Sequence, residues 1–229
     1  MRITLFYILF FSPIISILAF FVFFKRNISR LKWIIFLLIS IGFFIDYLCI
    51  ALGNKNISNV WIVNVYTLLE SLFLFSFFYF LFASKLLFQR ITLLLSTLLV
   101  IIWVTTNFIV GNIHTYDSIS QASEFIILFF LCLLYYFQKA KVVDEYFVYS
   151  YYEFWIVSAL LMYCAGTFFS FFVPTSITNK RTPDTLAFEY ISRLGGILKN
   201  ILIAIAFCMQ NKPPSSNLVK ANSMYTIKY

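Results

Sequence analysis

The chain has 229 residues, 62% of them hydrophobic and 11% charged, with a mean hydropathy of +0.92. Soluble domains carry about a quarter charged residues, so this composition excludes a globule faced with water and predicts an all-α integral membrane protein seated in the lipid bilayer. The net charge is +8, but the bases fall between apolar stretches and form no Lys/Arg-rich face with interleaved aromatics, so nucleic acid is not the expected partner.

A membrane-crossing helix takes about 20 apolar residues. The first such stretch, 4–24, follows Arg2 and competes with a signal peptide. Its apolar run is longer than a typical h-region, no small-x-small cleavage site follows, and Lys25-Arg26 come directly after it. It reads as a retained helix kinked at Pro13. The second stretch covers 31–52, the third 60–83 and the fourth 91–110. The fifth, 116–137, has a polar first half, and the sixth, 151–173, is closed by Pro174. The seventh, 186–210, holds Glu189, Arg193 and Lys199. Residues 1–210 are therefore expected to form one domain of seven transmembrane helices. Residues 211–229 contain Pro213-Pro214-Ser215-Ser216 and read as a disordered tail, too short for a kinase, a cyclase or a DNA-binding domain.

Lysines and arginines in short loops set orientation. Lys25, Arg26, Arg30, Lys32, Lys85, Arg90, Lys139, Lys141 and the tail lysines Lys212, Lys220 and Lys228 fall on one side. Only Arg2, Lys55, Lys180 and Arg181 fall on the other. The bias predicts an N-terminus outside and a cytoplasmic C-terminus. Ile8-Leu9-Phe10-Phe11 recurs as Ile127-Leu128-Phe129-Phe130, and Trp33 is echoed by Trp155. These echoes allow a three-one-three helix layout, two three-helix halves joined by the fourth helix.

Phe numbers 30 and Tyr 15, which reads as lipid-facing bulk, since such positions ask only for apolarity. Cys49, Cys132, Cys164 and Cys208 fall within or at the end of apolar spans, none in a CxxC pair, and His114 is the one histidine. No zinc site or disulfide framework is expected. No HExxH, GxSxG, P-loop or GxGxxG occurs, so no catalytic residues and no cofactor are assigned and an enzyme is not expected.

The informative residues are polar ones inside the spans. Positions i, i+4, i+7 and i+11 share a helix face. Gly42, Asp46, Cys49 and Gly53 form one such stripe; Asp117, Gln121 and Glu124 another; Glu189, Arg193, Gly196 and Asn200 a third, with Lys199 beside it. Asn64, Thr67 and Ser71 align next to Glu70. Counted inward at about 1.5 Å per residue, Glu189 lies roughly 5 Å deep, Asp46 and Arg193 about 10 Å, Glu124 about 12 Å, Glu70 about 15 Å and Lys199 about 20 Å. Ionisable groups at such depth normally face a protein interior or a watery cavity. They can pair internally, Glu189 with Arg193 and Lys199 with Glu70 or Glu124, and so glue helices. Asp46, Glu70, Glu124 and Glu189 nevertheless oppose only Arg193 and Lys199. The two surplus acids need a proton, water or a cation.

Lys199 on a seventh helix is similar to the retinal lysine of microbial rhodopsins. The acid expected one turn earlier is Gly195, however, and the third span NVYTLLESLFLF lacks that family's Arg and paired acids. The three-one-three layout is similar to small sugar transporters with PQ-loop repeats, but no Pro-Gln pair occurs. Asn64-Val65-Tyr66-Thr67 leading into LLESLFLFSFFYFLF, and FWIVSALLMYCAGTFFSFF from Phe154, resemble uncharacterised small seven-helix inner-membrane proteins of bacteria. That resemblance implies topology and a bacterial cytoplasmic membrane, with no activity attached.

The expected function is a receptor or sensor with an outward-facing pocket formed by Asp46, Asn64, Glu70, Gln121, Glu124, Glu189, Arg193, Lys199 and Asn200. It would hold a small polar ligand or a proton and signal to a cytoplasmic partner. A proton-coupled small-solute transporter and a structural or assembly subunit are the alternatives. No metal is expected. The predicted topology is checked by fusion reporters: alkaline phosphatase inserted at Lys55 is expected to be active, and at Lys85 inactive.

Overall fold

The computed structural model describes residues 2–23, 29–140, 148–171 and 183–209, with side chains described over 10–23, 29–140, 149–167 and 190–209. Among these residues there are seven α-helices and no strand: α1 Arg2–Phe23, α2 Arg30–Gly53, α3 Val60–Leu81, α4 Leu86–Val104, α5 Ser118–Ala140, α6 Tyr152–Phe171 and α7 Pro183–Cys208. The last turn of α4 widens into a π-helix, Thr105–Val110. Five helices are long and apolar enough to cross a membrane: α2, α3, α4 with its π extension, α5, and α7 over Tyr190–Cys208. The chain is all-helical in its described residues, and these five suit a multi-pass membrane protein.

Two helix starts differ from the expectation by three residues or more. α4 begins at Leu86 rather than 91, because Gln89 and Arg90 continue the helix and Gln89 Nε2 donates to the Tyr79 carbonyl at 3.3 Å. α7 begins at Pro183 rather than 186. Proline suits a first helical turn, where its missing N–H would have no helical partner anyway. The expected tail lies outside the described residues, as do Lys25, Arg26, Lys141, Lys180 and Arg181.

Neighbouring helices alternate in direction, as short connections require. Phe20 stacks on Phe36 at 4.1 Å while Phe10 meets Phe43 at 5.4 Å, so α1 and α2 run antiparallel. Arg30 lies 4.8 Å over the Phe80 ring, and Asn59 Nδ2 closes the α2–α3 turn on the Cys49 carbonyl at 3.0 Å. Trp103 Nε1 donates to the Asn64 carbonyl at 2.9 Å, tying α4 to α3. Phe125 meets Tyr163 at 5.3 Å, and Tyr136 shares a 2.7 Å hydrogen bond with Ser158, pairing α5 with α6. α7 packs against both α6 and α1 and closes the ring in chain order. α1 pairs with α7 as well as α2, and α3 also touches α5.

The phenylalanines divide between core and periphery. Phe77, Phe78, Phe82 and Phe207 are fully buried, whereas Phe11, Phe44, Phe108 and Phe137 face outward. Lys32, expected as an exposed loop charge, is instead buried in the first turn of α2. Ser29 caps that turn by accepting from the Lys32 amide at 3.2 Å. The Lys32 ammonium donates to the Met209 carbonyl at 2.5 Å and sits 4.7 Å over the Tyr152 ring. A cation there complements the negative C-terminal end of α7.

α6 and α7 meet backbone to backbone at Gly166 and Gly195. A Cβ on Gly166 would lie 3.1 Å from the Gly195 Cα, and one on Gly195 3.2 Å from the Gly166 Cα. Small residues permit this approach where lipid supplies no hydrophobic drive. Gly166→Val and Gly195→Val are each expected to destabilise the bundle by ~1–3 kcal/mol. Gly53→Ala, whose methyl would meet nothing within 4 Å, is expected to be neutral or to gain up to ~1 kcal/mol. Thermal unfolding in detergent measures the contrast.

Candidate functional site

A cavity of about 410 Å³ lies between α1, α2, α3, α6 and α7. It extends along α2 from Ile35 to Ile50, near the α2–α3 turn, a rise of roughly 22 Å. α2 contributes Asp46, which is exposed, together with Gly42 and Cys49 from the same face. Gly42 is where α3 comes close: a Cβ there would lie 2.6 Å from the Tyr66 hydroxyl. Tyr66 and Glu70, one turn apart on α3, both line the cavity. α7 presents Arg193, Gly196, Lys199, Asn200 and Ile203, a helical spacing that turns one face inward. Tyr163 and Thr167 complete the wall from α6.

The Lys199 ammonium sits 3.8 Å from the centroid of the Tyr163 ring. Such a cation–π contact contributes about 0.5–2 kcal/mol, more when desolvated. Among the described residues no carboxylate closes an ion pair on Lys199. Asp46 and Glu70 line the same cavity as its ammonium, and Glu124 on α5 lies within reach of its field. Glu124 is 3% exposed, and its Oε1 has no hydrogen-bond partner among the described residues. It lies behind the cavity wall, in the field of Glu70 and Lys199.

The residues singled out from sequence thus separate. Asp46, Glu70, Arg193, Lys199 and Asn200 line one space, and Glu124 adjoins it electrostatically. Asn200 is also a structural joint: its Nδ2 donates to Ser12 Oγ at 2.7 Å, and its carbonyl accepts from Ser16 Oγ at 2.6 Å. Asn64 and Gln121 sit elsewhere. Asn64 Nδ2 donates to the carbonyls of Ile113 and Thr115 at 2.9 and 2.7 Å, and Gln121 Oε1 accepts from the Tyr116 hydroxyl at 2.5 Å. Glu189 belongs to α7, but its side chain lies outside the described residues. Sequence reasoning missed Tyr66 and Tyr163, which nothing distinguishes among so many aromatics. It also missed Ser12 and Ser16, whose i, i+4 spacing in an apolar span was a usable signal.

A second polar cluster joins the π turn to the start of α5. Asp117 caps α5 by accepting from the Ser120 amide at 3.0 Å. Its Oδ2 accepts from Thr106 Oγ1 at 2.6 Å and Asn107 Nδ2 at 2.5 Å. Burial works to raise the Asp117 carboxyl, but hydrogen bonds from Ser120, Thr106 and Asn107 outweigh it and hold the group below its ordinary range. This cluster reads as a brace, since donors from the π turn and from α5 meet on one carboxylate.

Comparison with protein-family models, with curated proteins and with solved structures finds no match for the chain.

A carboxyl held lower in the folded than in the unfolded chain contributes stability above its unfolded pKa, lost as pH falls through the folded one. The brace is therefore expected to weaken below about pH 4. In a pH series of thermal unfolding, Asp117→Asn is expected to flatten this acid limb. Asp117→Ala is expected to cost ~1 kcal/mol at neutral pH as a lost helix cap.

Proposed function

We propose that the chain is a receptor- or sensor-like protein of the bacterial inner membrane, crossing it seven times with its N-terminus outside. The cavity between α1, α2, α3, α6 and α7 takes a small polar ligand or a proton. Displacement of α7 is read by a cytoplasmic partner. The observation that carries this reading is one space lined by Asp46, Glu70, Arg193 and Lys199, with Lys199 resting on an aromatic ring and, among the described residues, not paired with an acid. Charges kept only as glue gain most by closing into hydrogen-bonded pairs, because an unpaired buried charge is costly. Closed polar joints of that kind are formed at Asn200 and at Asp117, whereas the Lys199 ammonium rests on the Tyr163 ring.

A proton-coupled small-solute transporter is the second reading. It is favoured by the buried Glu124, whose Oε1 has no partner among the described residues and which shares the field of Glu70 and Lys199. A structural or assembly role draws on the Asn200 and Asp117 joints but leaves the cavity without a purpose.

Small zwitterions and amines are expected to raise the unfolding temperature of the full chain in nanodiscs saturably. Glu70→Gln is expected to weaken the apparent affinity about tenfold, equivalent to ~1.4 kcal/mol, with helix content unchanged. Saturation without flux in proteoliposomes supports the receptor reading; pH-dependent uptake of the same compound replaces it with transport. If no compound stabilises the protein and Glu70→Gln changes only folding, the structural role stands instead.

A further inference from the structure

Lys199 itself shows what kind of chemical group the cavity suits. Its ammonium lies on the Tyr163 ring face, 3.8 Å from the centroid. Asp46 from α2, Glu70 from α3 and Glu124 from α5 all lie within the reach of its field. An aromatic face in a cavity that two carboxyl groups, Asp46 and Glu70, also line is a seat for an ammonium ion, and here a side chain of the protein sits in it. The seat is also under-filled. Two carboxyl groups, Asp46 and Glu70, line the same space as the one ammonium, and Glu124, 3% exposed, keeps an Oε1 without a hydrogen-bond partner among the described residues. A buried carboxylate oxygen in this state is short of a donor. Cys164 on α6 also lies in the field of Lys199, and Tyr66 on α3 and Arg193 on α7 line the same cavity. Next to the charges the lining turns apolar at Phe10, Phe43 and Leu160, which suits a short alkyl chain.

We propose that Lys199 is a tethered occupant of a cation seat, and that the ligand of this cavity is a small organic primary ammonium ion that displaces it from Tyr163. This rests on the reading of the cavity as a binding site and adds the ligand's chemical class and its built-in competitor. The competition makes the ligand a switch: seating a free ammonium turns Lys199 away from the α6 ring and so acts on α7 itself.

The test uses the full chain in nanodiscs with n-butylammonium as probe and 1-pentanol as the uncharged control of similar size. In Lys199→Met, n-butylammonium is expected to raise the unfolding temperature saturably, with an apparent affinity at least tenfold tighter than in the wild type. 1-Pentanol is expected to have no such effect, and adding Glu70→Gln is expected to remove the response. Equal effects of amine and alcohol, or equal amine affinity in wild type and Lys199→Met, overturn the proposal. If Lys199→Met does not fold alone, the same contrast is read in the yield of folded protein made with amine or with alcohol, and in Lys199→Gln. Ammonium rescue of Lys199→Met supports the seat even where no compound binds the wild type, an outcome that would count against the receptor reading alone. Saturable binding of a zwitterion or amine to the wild type, with Lys199→Met indifferent to ammonium, overturns the seat and leaves the binding site standing.

Discussion

Lipid cannot accept the charges of α7, and the arrangement of the other helices answers that constraint. A basic side chain near mid-bilayer costs about 2.5–3.5 kcal/mol on insertion scales. α7 meets this by sorting its faces. Ile191, Leu194, Leu198, Ile201 and Ile205 recur at helical spacing and are exposed, while Arg193, Lys199 and Asn200 turn into the bundle. The inward face then needs neighbours of particular kinds. α6 offers Gly166 for close approach and Tyr163 for the ammonium. α1 offers Ser12 and Ser16 for the amide of Asn200 and its backbone carbonyl. α2, α3 and α5 bring the carboxylates.

Two classes of buried polar group coexist in this bundle. Asn64, Asn200 and Asp117 spend their hydrogen bonds on defined partners across helices or loops. Polar joints of this kind stabilise helix association by ~1 kcal/mol apiece. Glu124 and Lys199 are placed with equal care and have no such closure among the described residues. A low-dielectric interior makes that costly, and a protein keeps such a cost where an occupant or a change of state relieves it.

Much of the fold was legible because apolar length is a strong signal: the expected stretches correspond to the seven helices within a few residues at most ends. The misses have physical causes. Arg90 looked like a loop residue, yet a long basic side chain can stay on a helix and reach water. Lys32 counted as a loop charge, and only tertiary structure could bring the end of α7 to it. At the site, charge in an apolar span pointed to Asp46, Glu70, Glu124, Arg193 and Lys199. Asn64 and Gln121 shared stripes with those residues but answer to loop carbonyls and a tyrosine beside their own helices. Helical periodicity reports a face, not what lies opposite it. Tyr66 and Tyr163 stayed hidden for the same reason.

Closing the ring in chain order with an odd number of helices leaves one joint unlike the others. Ser12 meets Asn200 and Phe20 meets Phe207, so α1 and α7 run parallel while consecutive helices run antiparallel. Dipoles of antiparallel neighbours offset one another; those of a parallel pair add. No connecting segment bridges this joint, and among the described residues Ser12 and Ser16 both hydrogen-bond to Asn200. Phe10 and Pro13 on one side, and Arg193 and Lys199 on the other, line the cavity directly behind it. The α1–α7 joint is thus a seam, the one parallel contact in the ring, with the charged cavity directly behind it.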